Sequence, residues 1–347
     1  MKILLISNMY PSNSHPSLGV FVKNIEDILL LNHHEVDKIV IDRKYSSKPS
    51  KILSYFLFYF RVFWGLMFKK YDIVYAHYIS HVALPIIVFN RIRKIIIYSH
   101  AHGGDIKKLN GTSGIFFKIK RFLSKKMLFI STVVFAPSNS YKKFISDSYS
   151  LNSNKIVIFP SGGVDTQVFN YSDTDSKKTG MLGYAGRLEK TKNVDLLIKS
   201  LVLNDLKLSI VGSGSCEHSL KILVNELGLG DRVTFSESMN QIELAQWYKE
   251  IAILVYPSSS ESLGLVPLEA LACGTSVLLS PIDAFNELLK CGFEFEVIKD
   301  FTPEAINFGV QHIISNDNVN ISRSNSHLVE KLYSRDVVCK GFIDVFK

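Results

Sequence analysis

Short apolar runs alternate along the whole chain with longer stretches whose apolar positions recur at helical spacing. Parallel strands buried on both faces read as continuous apolar runs, and the helices that cover them keep one polar face, so this alternation predicts repeated βα units. In the first half it places strands at Lys2–Ser7, Val36–Ile41, Ile73–Ala76, Lys94–Ser99, Thr132–Ala136 and Ile156–Phe159, with helices at Phe21–Leu31, His81–Asn90 and Ile115–Phe129. The polar segment Tyr171–Gly180 has no apolar period and reads as a linker. The alternation then restarts, with strands at Met181–Ala185, Lys207–Val211, Arg232–Phe235, Ile253–Tyr256 and Thr275–Leu279. Its helices fall at Val194–Leu201, Ser219–Leu227, Ile242–Lys249 and Leu265–Ala272.

The 347 residues suit two domains at roughly 150 residues each. The expected architecture is two doubly wound, Rossmann-like α/β domains facing a cleft, 1–170 and 181–330, joined by a linker at 171–180. A closing helix at 331–347 is expected to pack back on the first domain. Ligands of such sheets bind at the carboxyl ends of the strands, so the chemistry belongs in the loops that follow them.

Charge is unevenly divided. Residues 1–170 carry 23 Lys+Arg against 9 Asp+Glu, and residues 171–347 carry 17 against 23, so the halves are +14 and −6. An anionic partner of the first half follows, and without a zinc-finger, RNA-recognition or helix-turn-helix signature that partner is not expected to be nucleic acid. The four cysteines, Cys216, Cys273, Cys291 and Cys339, are far apart and form no C-x-x-C pair, which predicts free thiols in a reducing cytoplasm. The apolar run after Met1-Lys2 is too short for a signal peptide and reads as a first buried strand.

The richest loop follows the strand Ile253–Tyr256. In Pro257-Ser-Ser-Ser-Glu261-Ser262-Leu263-Gly264-Leu265-Val-Pro-Leu-Glu269 a Ser-rich turn leads into a helix whose first amides are free to seat a phosphate. Glu261 in the loop and Glu269 one turn into the helix are placed to accept hydrogen bonds from ligand hydroxyls. After Met181–Ala185 comes Gly186-Arg187-Leu-Glu-Lys-Thr-Lys192-Asn193, whose cations suit a diphosphate. Val211-Gly212-Ser-Gly214 is a Gly-rich turn that lets a ligand approach the backbone. In the first half, the loop Pro11–Gly19 ends at a helix start, and His100-Ala-His102-Gly103-Gly104-Asp105 follows a strand. The ten histidines show no metal-ligand spacing with Cys or Asp. Asp173-Thr-Asp175 has the Asp-x-Asp form of a metal-binding pair, but no strand precedes it.

Taken together, the Glu261-x7-Glu269 run, the Gly19 loop, His102-Gly-x-Asp105, Pro160-Ser-Gly-Gly-Val-Asp165 and Gly186-Arg-Leu…Lys192-Asn193 resemble, in order, the family 4 glycosyltransferases of the GT-B fold, many of which build bacterial surface polysaccharides. Gly162 stands where that family usually has Asn. The resemblance implies a retaining transferase that moves a hexose-type sugar from a nucleotide-sugar donor, linked to UDP or GDP with UDP favoured, to a glycan or undecaprenyl-linked glycan. It further implies that Arg187 and Lys192 grip the diphosphate, Glu269 binds the ribose, and Glu261 with the amides after Ser262 contacts the transferred sugar. His102 and the Gly19 loop approach from the first domain, with Asp105, Gly186, Gly212, Gly214, Leu263, Gly264 and Leu265 lining the donor. No metal and no cofactor besides the donor is implied. A sugar-nucleotide epimerase, an inverting transferase of the same architecture, and a catalytically inactive partner-binding relative are the other readings.

The segment Ile52–Phe68 is apolar but for Arg61 and is flanked by Lys48, Lys51, Lys69 and Lys70. At 17 residues it is short for the ~30 Å bilayer core, so it reads either as a buried crossover helix or as a helix lying on a membrane surface. With the basic stretch Lys118–Phe129 it predicts reversible attachment to the anionic cytoplasmic face of the membrane.

Overall fold

A computed structural model describes residues 1–15, 18–43, 45, 47–103, 106, 114–171, 178–316 and 319–347. They form two compact units, Met1–Gly162 with Cys339–Lys347, and Gly163–Val338.

The first unit alternates strand and helix: β1 Lys2–Ser7, α1 Val20–Leu31, β2 Glu35–Val40, α2 Lys48–Phe68, β3 Ile73–His77, α3 Ile79–Ile92, β4 Ile97–His100, α4 Gly114–Ile130, β5 Val133–Ala136, α5 Asn139–Tyr149 and β6 Ile156–Ile158. All its strand pairs are parallel, in the order β2-β1-β3-β4-β5-β6. The strands are apolar on both faces because helices cover both; β3 is buried at every position. Right-handed crossovers put α2, α3 and α4 in one layer, and α3 packs against both α2 and α4. Against the sheet lies an aromatic cluster of Tyr75, Phe135 and Phe159 that takes in Phe342 and Phe346 from the end of the chain.

The second unit continues with β7 Lys178–Ala185, α6 Val194–Ser200, β8 Lys207–Val211, α7 Glu217–Glu226, β9 Val233–Ser236, α8 Gln241–Glu250, β10 Ile251–Tyr256, α9 Leu265–Ala272, β11 Ser276–Leu279, α10 Asp283–Lys290 and β12 Glu296–Val297. Helices α11 Pro303–Ser315, α12 Val319–Tyr333 and α13 Arg335–Ile343 close the chain. The sheet is again parallel, in the order β12-β11-β10-β7-β8-β9. Local chemistry sets several helix starts. Asn240 and Glu243 form a reciprocal capping box on α8, and Thr302 caps α11 just before Pro303.

The boundary between the units differs from the expected linker at 171–180. The units divide at Gly162/Gly163, because Val164 N–H donates to the Tyr333 carbonyl at 2.7 Å and Arg335 N–H to the Val164 carbonyl at 2.8 Å. Arg335 also bonds Asp165 at 2.8 Å, and Val164 and Phe169 lie in the second core. Residues 163–170 therefore belong to the second unit, and β7 begins inside the segment expected to be linker. Residues 172–177, with Asp173 and Asp175, lie outside the described residues. The single closing helix expected at 331–347 is two, broken at Ser334, where the chain makes a β-bridge to Val164. The second unit runs to Val338 instead of 330.

The apolar segment Ile52–Phe68 lies within α2, the crossover from β2 to β3. Its Ser47 hydroxyl accepts from the Ser50 amide at the helix start. Only Phe58, Val62 and Leu66, one stripe at four-residue spacing, are buried. Among the described residues α2 is the one helix long and apolar enough to cross a membrane.

Candidate functional site

In an open parallel sheet the ligand crevice opens where strand order reverses. In the second sheet that point lies between β7 and β10, and the loops after these two strands are tied together. Ser259 N–H donates to the Thr191 carbonyl at 2.8 Å, and the Asn193 side-chain amide to the Pro257 carbonyl at 2.9 Å. Ser280 Oγ donates to the Ser258 carbonyl.

These ties bring together Lys192 and Glu261, 69 positions apart, whose ammonium and carboxylate pair directly. Both side chains are nearly buried, at 8% and 14% exposure. The Lys192 ammonium also lies 5.5 Å from the centre of the Tyr256 ring, which stacks on Tyr184 at 5.6 Å. Burial first, then the Glu261 carboxylate, holds the Tyr256 phenol far above its ordinary pKa, so it stays neutral.

Directly after Glu261 the chain enters α9. Gly264 sits at its N-cap with φ +93°, and a Cβ there would come within 2.6 Å of the Phe285 ring. Glycine meets both demands, and it leaves the helix start without a side-chain cap. The first-turn amides of a helix have no partner within it and carry its positive dipole end, so they can receive an anion. Glu269 lies one turn further in. Burial pushes its carboxyl up to about 7, against the hydrogen bond from the Tyr248 phenol, which is 3.2 Å away.

The Gly186 and Gly212 turns, after β7 and β8, touch each other. A Cβ on Gly212, where φ is +128°, would fall 2.1 Å from the Gly186 carbonyl oxygen. Gly214 packs in the same way on Leu188. The Val211-Gly212-Ser-Gly214 turn therefore positions the Arg187 loop. Arg187 itself is exposed; its carbonyl accepts from the Tyr184 phenol at 3.0 Å, and its side chain forms no ion pair among the described residues. Of the two expected cations, Lys192 is fixed in place by burial and Arg187 is not. Ser262, Leu263 and Leu265 occupy the turn between Glu261 and the first turn of α9.

In the first unit strand order reverses between β1 and β3. Gly19 is buried where the loop after β1 meets α1, against the Met9 backbone. Close by is a histidine cluster. Parallel pairing aligns His77, the last residue of β3, with His100, the last of β4. His77 Nδ1 lies 3.1 Å from His102 Nε2, the Tyr75 phenol 2.8 Å from His100 Nδ1, and the His100 and His102 rings stack at 4.3 Å with an interplanar angle of 6°. Burial lowers all three imidazoles, His100 to about 3, and the cluster is neutral. In the His77–His102 hydrogen bond one ring donates and the other accepts, so the pair fixes each other's tautomers. Asp105 lies outside the described residues.

The search for His beside Cys or Asp in the sequence does not cover a group of histidines alone, and the structure sets one together: the ligand atoms of His77, His100 and His102 lie within 4.8 Å of one another. Sequence spacing hides the group because strand pairing assembles it. The three rings are joined by the His77–His102 hydrogen bond and by near-parallel stacking.

Residues 171–331 match the family model described as "Glycosyl transferases group 1". An uncharacterized glycosyltransferase of Methanocaldococcus jannaschii is 24% identical over all of this chain and 98% of its own length. A D-inositol 3-phosphate glycosyltransferase of Arthrobacter sp. is 33% identical over 42% of this chain and 38% of its own. Among solved structures, the sucrose-phosphate synthase of Thermosynechococcus elongatus superposes with a TM-score of 0.84 at 17% identity, over 100% of this chain and 98% of its own. Anabaena HepE in complex with UDP-glucose does so at 0.76 and 15%, over 100% and 99%. With its two six-stranded parallel sheets the chain has the GT-B fold of these structures, and over residues 171–331 it carries a domain of the glycosyl transferases group 1 family.

Proposed function

We propose that the enzyme transfers a sugar with retention from a nucleotide-sugar donor, UDP-linked by preference, to a glycan or lipid-linked glycan, without a divalent metal, as a step in bacterial surface polysaccharide assembly. The observation that carries this reading is the buried Lys192–Glu261 pair at the switch point of the second sheet, beside the uncapped start of α9. Lys192 supplies the cation and α9 the amides for a departing diphosphate, and Glu261 accepts hydroxyls of the sugar. Glu269 accepts those of the ribose. The UDP and UDP-glucose held by the fold relative HepE support the donor class. In the free protein Lys192 is neutralised by Glu261, so an arriving diphosphate competes for it.

The deciding experiment is turnover of UDP-glucose and other nucleotide sugars with the product's anomeric configuration read by NMR. A retained anomer is expected, with activity undiminished in EDTA. An inverted product, epimerisation without transfer, or a strict metal requirement overturns the corresponding part; the last would direct attention to Asp173 and Asp175.

The Glu269 carboxyl gives a pH signature. It accepts ribose hydroxyls best when ionised, and it loses its proton near pH 7. Affinity for UDP-glucose, whose diphosphate diester does not titrate there, is expected to rise from pH 6 through 7 and level off by about 8. In Glu269→Gln the curve is flat. Calorimetric titration showing affinity that falls across this window in the wild type refutes the assignment.

Membrane attachment is part of the same reading. The outer face of α2 exposes Ile52 at 71% and Phe56 at 67%, and α4 exposes Phe116 at 60%. Lys48, Lys51, Lys69 and Lys70 stand at the two ends of α2, and Lys118, Lys120, Lys125 and Lys126 lie along α4. Co-sedimentation with anionic vesicles at low salt and release at high salt are expected; equal binding to neutral vesicles contradicts it.

A further inference from the structure

On the surface of the first unit's helix layer an open groove of about 480 Å³ runs between the C-terminal halves of α3 and α4, within the size range of small-molecule clefts. Ile87 of α3 and Phe122, Phe129 and Ile130 of α4 form its walls. Four cations rim it, Arg91 and Lys94 on one side, Lys125 and Lys126 on the other. The Lys126 ammonium lies 4.4 Å from the centre of the Phe122 ring, and that of Lys125 5.9 Å from Phe129. None of the four forms an ion pair among the described residues. An apolar slot with four uncompensated cations at its mouth matches a molecule with a hydrocarbon tail and an anionic head. Neither a free anion nor a neutral lipid matches both parts.

The topology also says what such a ligand does. Helices α3 and α4 run antiparallel to the strands they join, so their C-terminal ends lie at the amino edge of the sheet. His102 follows the carboxyl end of β4. Helix α3 has 14 residues, so roughly 20 Å separate the two edges at 1.5 Å per residue. A lipid in the slot is thus held apart from the histidine cluster, as an anchor and not as a reacting acceptor. The slot also opens in the helix layer that carries the exposed apolar faces of α2 and α4.

We infer that the slot between α3 and α4 is a stoichiometric site for one anionic phospholipid, its phosphate held by Arg91, Lys94, Lys125 and Lys126 and an acyl chain lying along Phe122 and Phe129. This deepens the membrane reading above, on which it rests, by naming a saturable site within a surface otherwise held by general charge. The test is calorimetric titration of the full chain with dihexanoyl phosphatidylglycerol below its micelle concentration. Dihexanoyl phosphatidylcholine and inorganic phosphate are the controls. Saturable one-to-one binding of the anionic lipid is expected, at least tenfold tighter than either control. The combined Lys94→Gln, Lys125→Gln and Lys126→Gln variant, altered only at the rim, should weaken it at least tenfold. Ile87→Trp, which fills the slot, should weaken it similarly while leaving UDP-glucose turnover unchanged. Non-saturable binding, equal binding of phosphate, equal binding of the neutral lipid, or indifference to both variants overturns the site. Loss of vesicle binding with one-to-one lipid binding intact removes the broader surface reading and leaves this site standing.

Discussion

Lys192→Ala is expected to lower kcat by two to three orders of magnitude, the effect of removing one fixed stabiliser of developing charge, about 2.7–4 kcal/mol in the barrier. The same change leaves the Glu261 carboxylate nearly buried without its cation, and an orphaned buried charge destabilises the fold by about 3–5 kcal/mol. A drop in activity alone would therefore confuse catalysis with unfolding. The double variant Lys192→Ala/Glu261→Gln, read against Glu261→Gln alone, separates them, since it removes the uncompensated charge along with its partner while the single variant keeps Lys192. The double variant's melting temperature should return most of the way to the wild-type value while turnover stays low. A double variant that recovers both would make the pair a purely structural ion pair and remove Lys192 from the chemistry.

How much of this arrangement was legible depended on whether a feature is local in the chain. Strands such as Lys2–Ser7 and Lys207–Val211 announced themselves because burial on both faces leaves an unbroken apolar run, and both lie where the pattern puts them. Helix α9 was visible because a Ser-rich turn, Gly264 and an apolar period follow one another within a few residues. The Lys192–Glu261 contact was not visible as a pair. Each residue sat in a loop with phosphate-type chemistry, but the reversal of strand order between β7 and β10 makes those loops neighbours. His77 was missed for a similar reason: nothing adjacent to it carries chemistry, and only its register opposite His100 places it against His102. A signal was present, since two parallel strands each end in histidine.

The boundary between units was misplaced because composition reports exposure and not connectivity. The polar stretch 171–180 resembles a linker, whereas the chain changes unit at Gly162/Gly163, inside the Pro160–Asp165 motif. The Gly162 found where the resembled family has Asn sits at φ +89°, a left-handed conformation that Asn also tolerates. Helix α2 shows the converse. Its composition satisfied a core helix and a membrane helix equally, and only the narrow Phe58–Val62–Leu66 stripe reveals that most of its apolar surface faces outward.

Gly212→Ala is expected to destabilise the second unit by about 2–6 kcal/mol and to lower turnover about a hundredfold, with Gly228→Ala as its control. Both glycines have positive φ, +128° and +67°, but their surroundings differ. A Cβ at Gly228 would meet nothing within 4 Å, so alanine there costs only the left-handed backbone, about 1–2 kcal/mol. At Gly212 the backbone conformation is less accessible still to an L side chain, about 1–3 kcal/mol, and the new methyl would stand 2.1 Å from the Gly186 carbonyl oxygen. That neighbour is backbone and cannot swing aside as a side chain can, and displacing packed atoms adds about 1–3 kcal/mol more. The carbonyl belongs to the turn that leads through Arg187 to Lys192, so the displacement is passed along the β7 loop toward the cation. A shift of about 1 Å there is enough for a hundredfold loss of rate. Urea unfolding monitored by the intrinsic tryptophans, with turnover measured in parallel, checks both halves of the expectation. Equal destabilisation by the two alanines would show that backbone conformation alone decides their cost, and unchanged turnover in folded Gly212→Ala would uncouple the contact between the two turns from the position of Lys192.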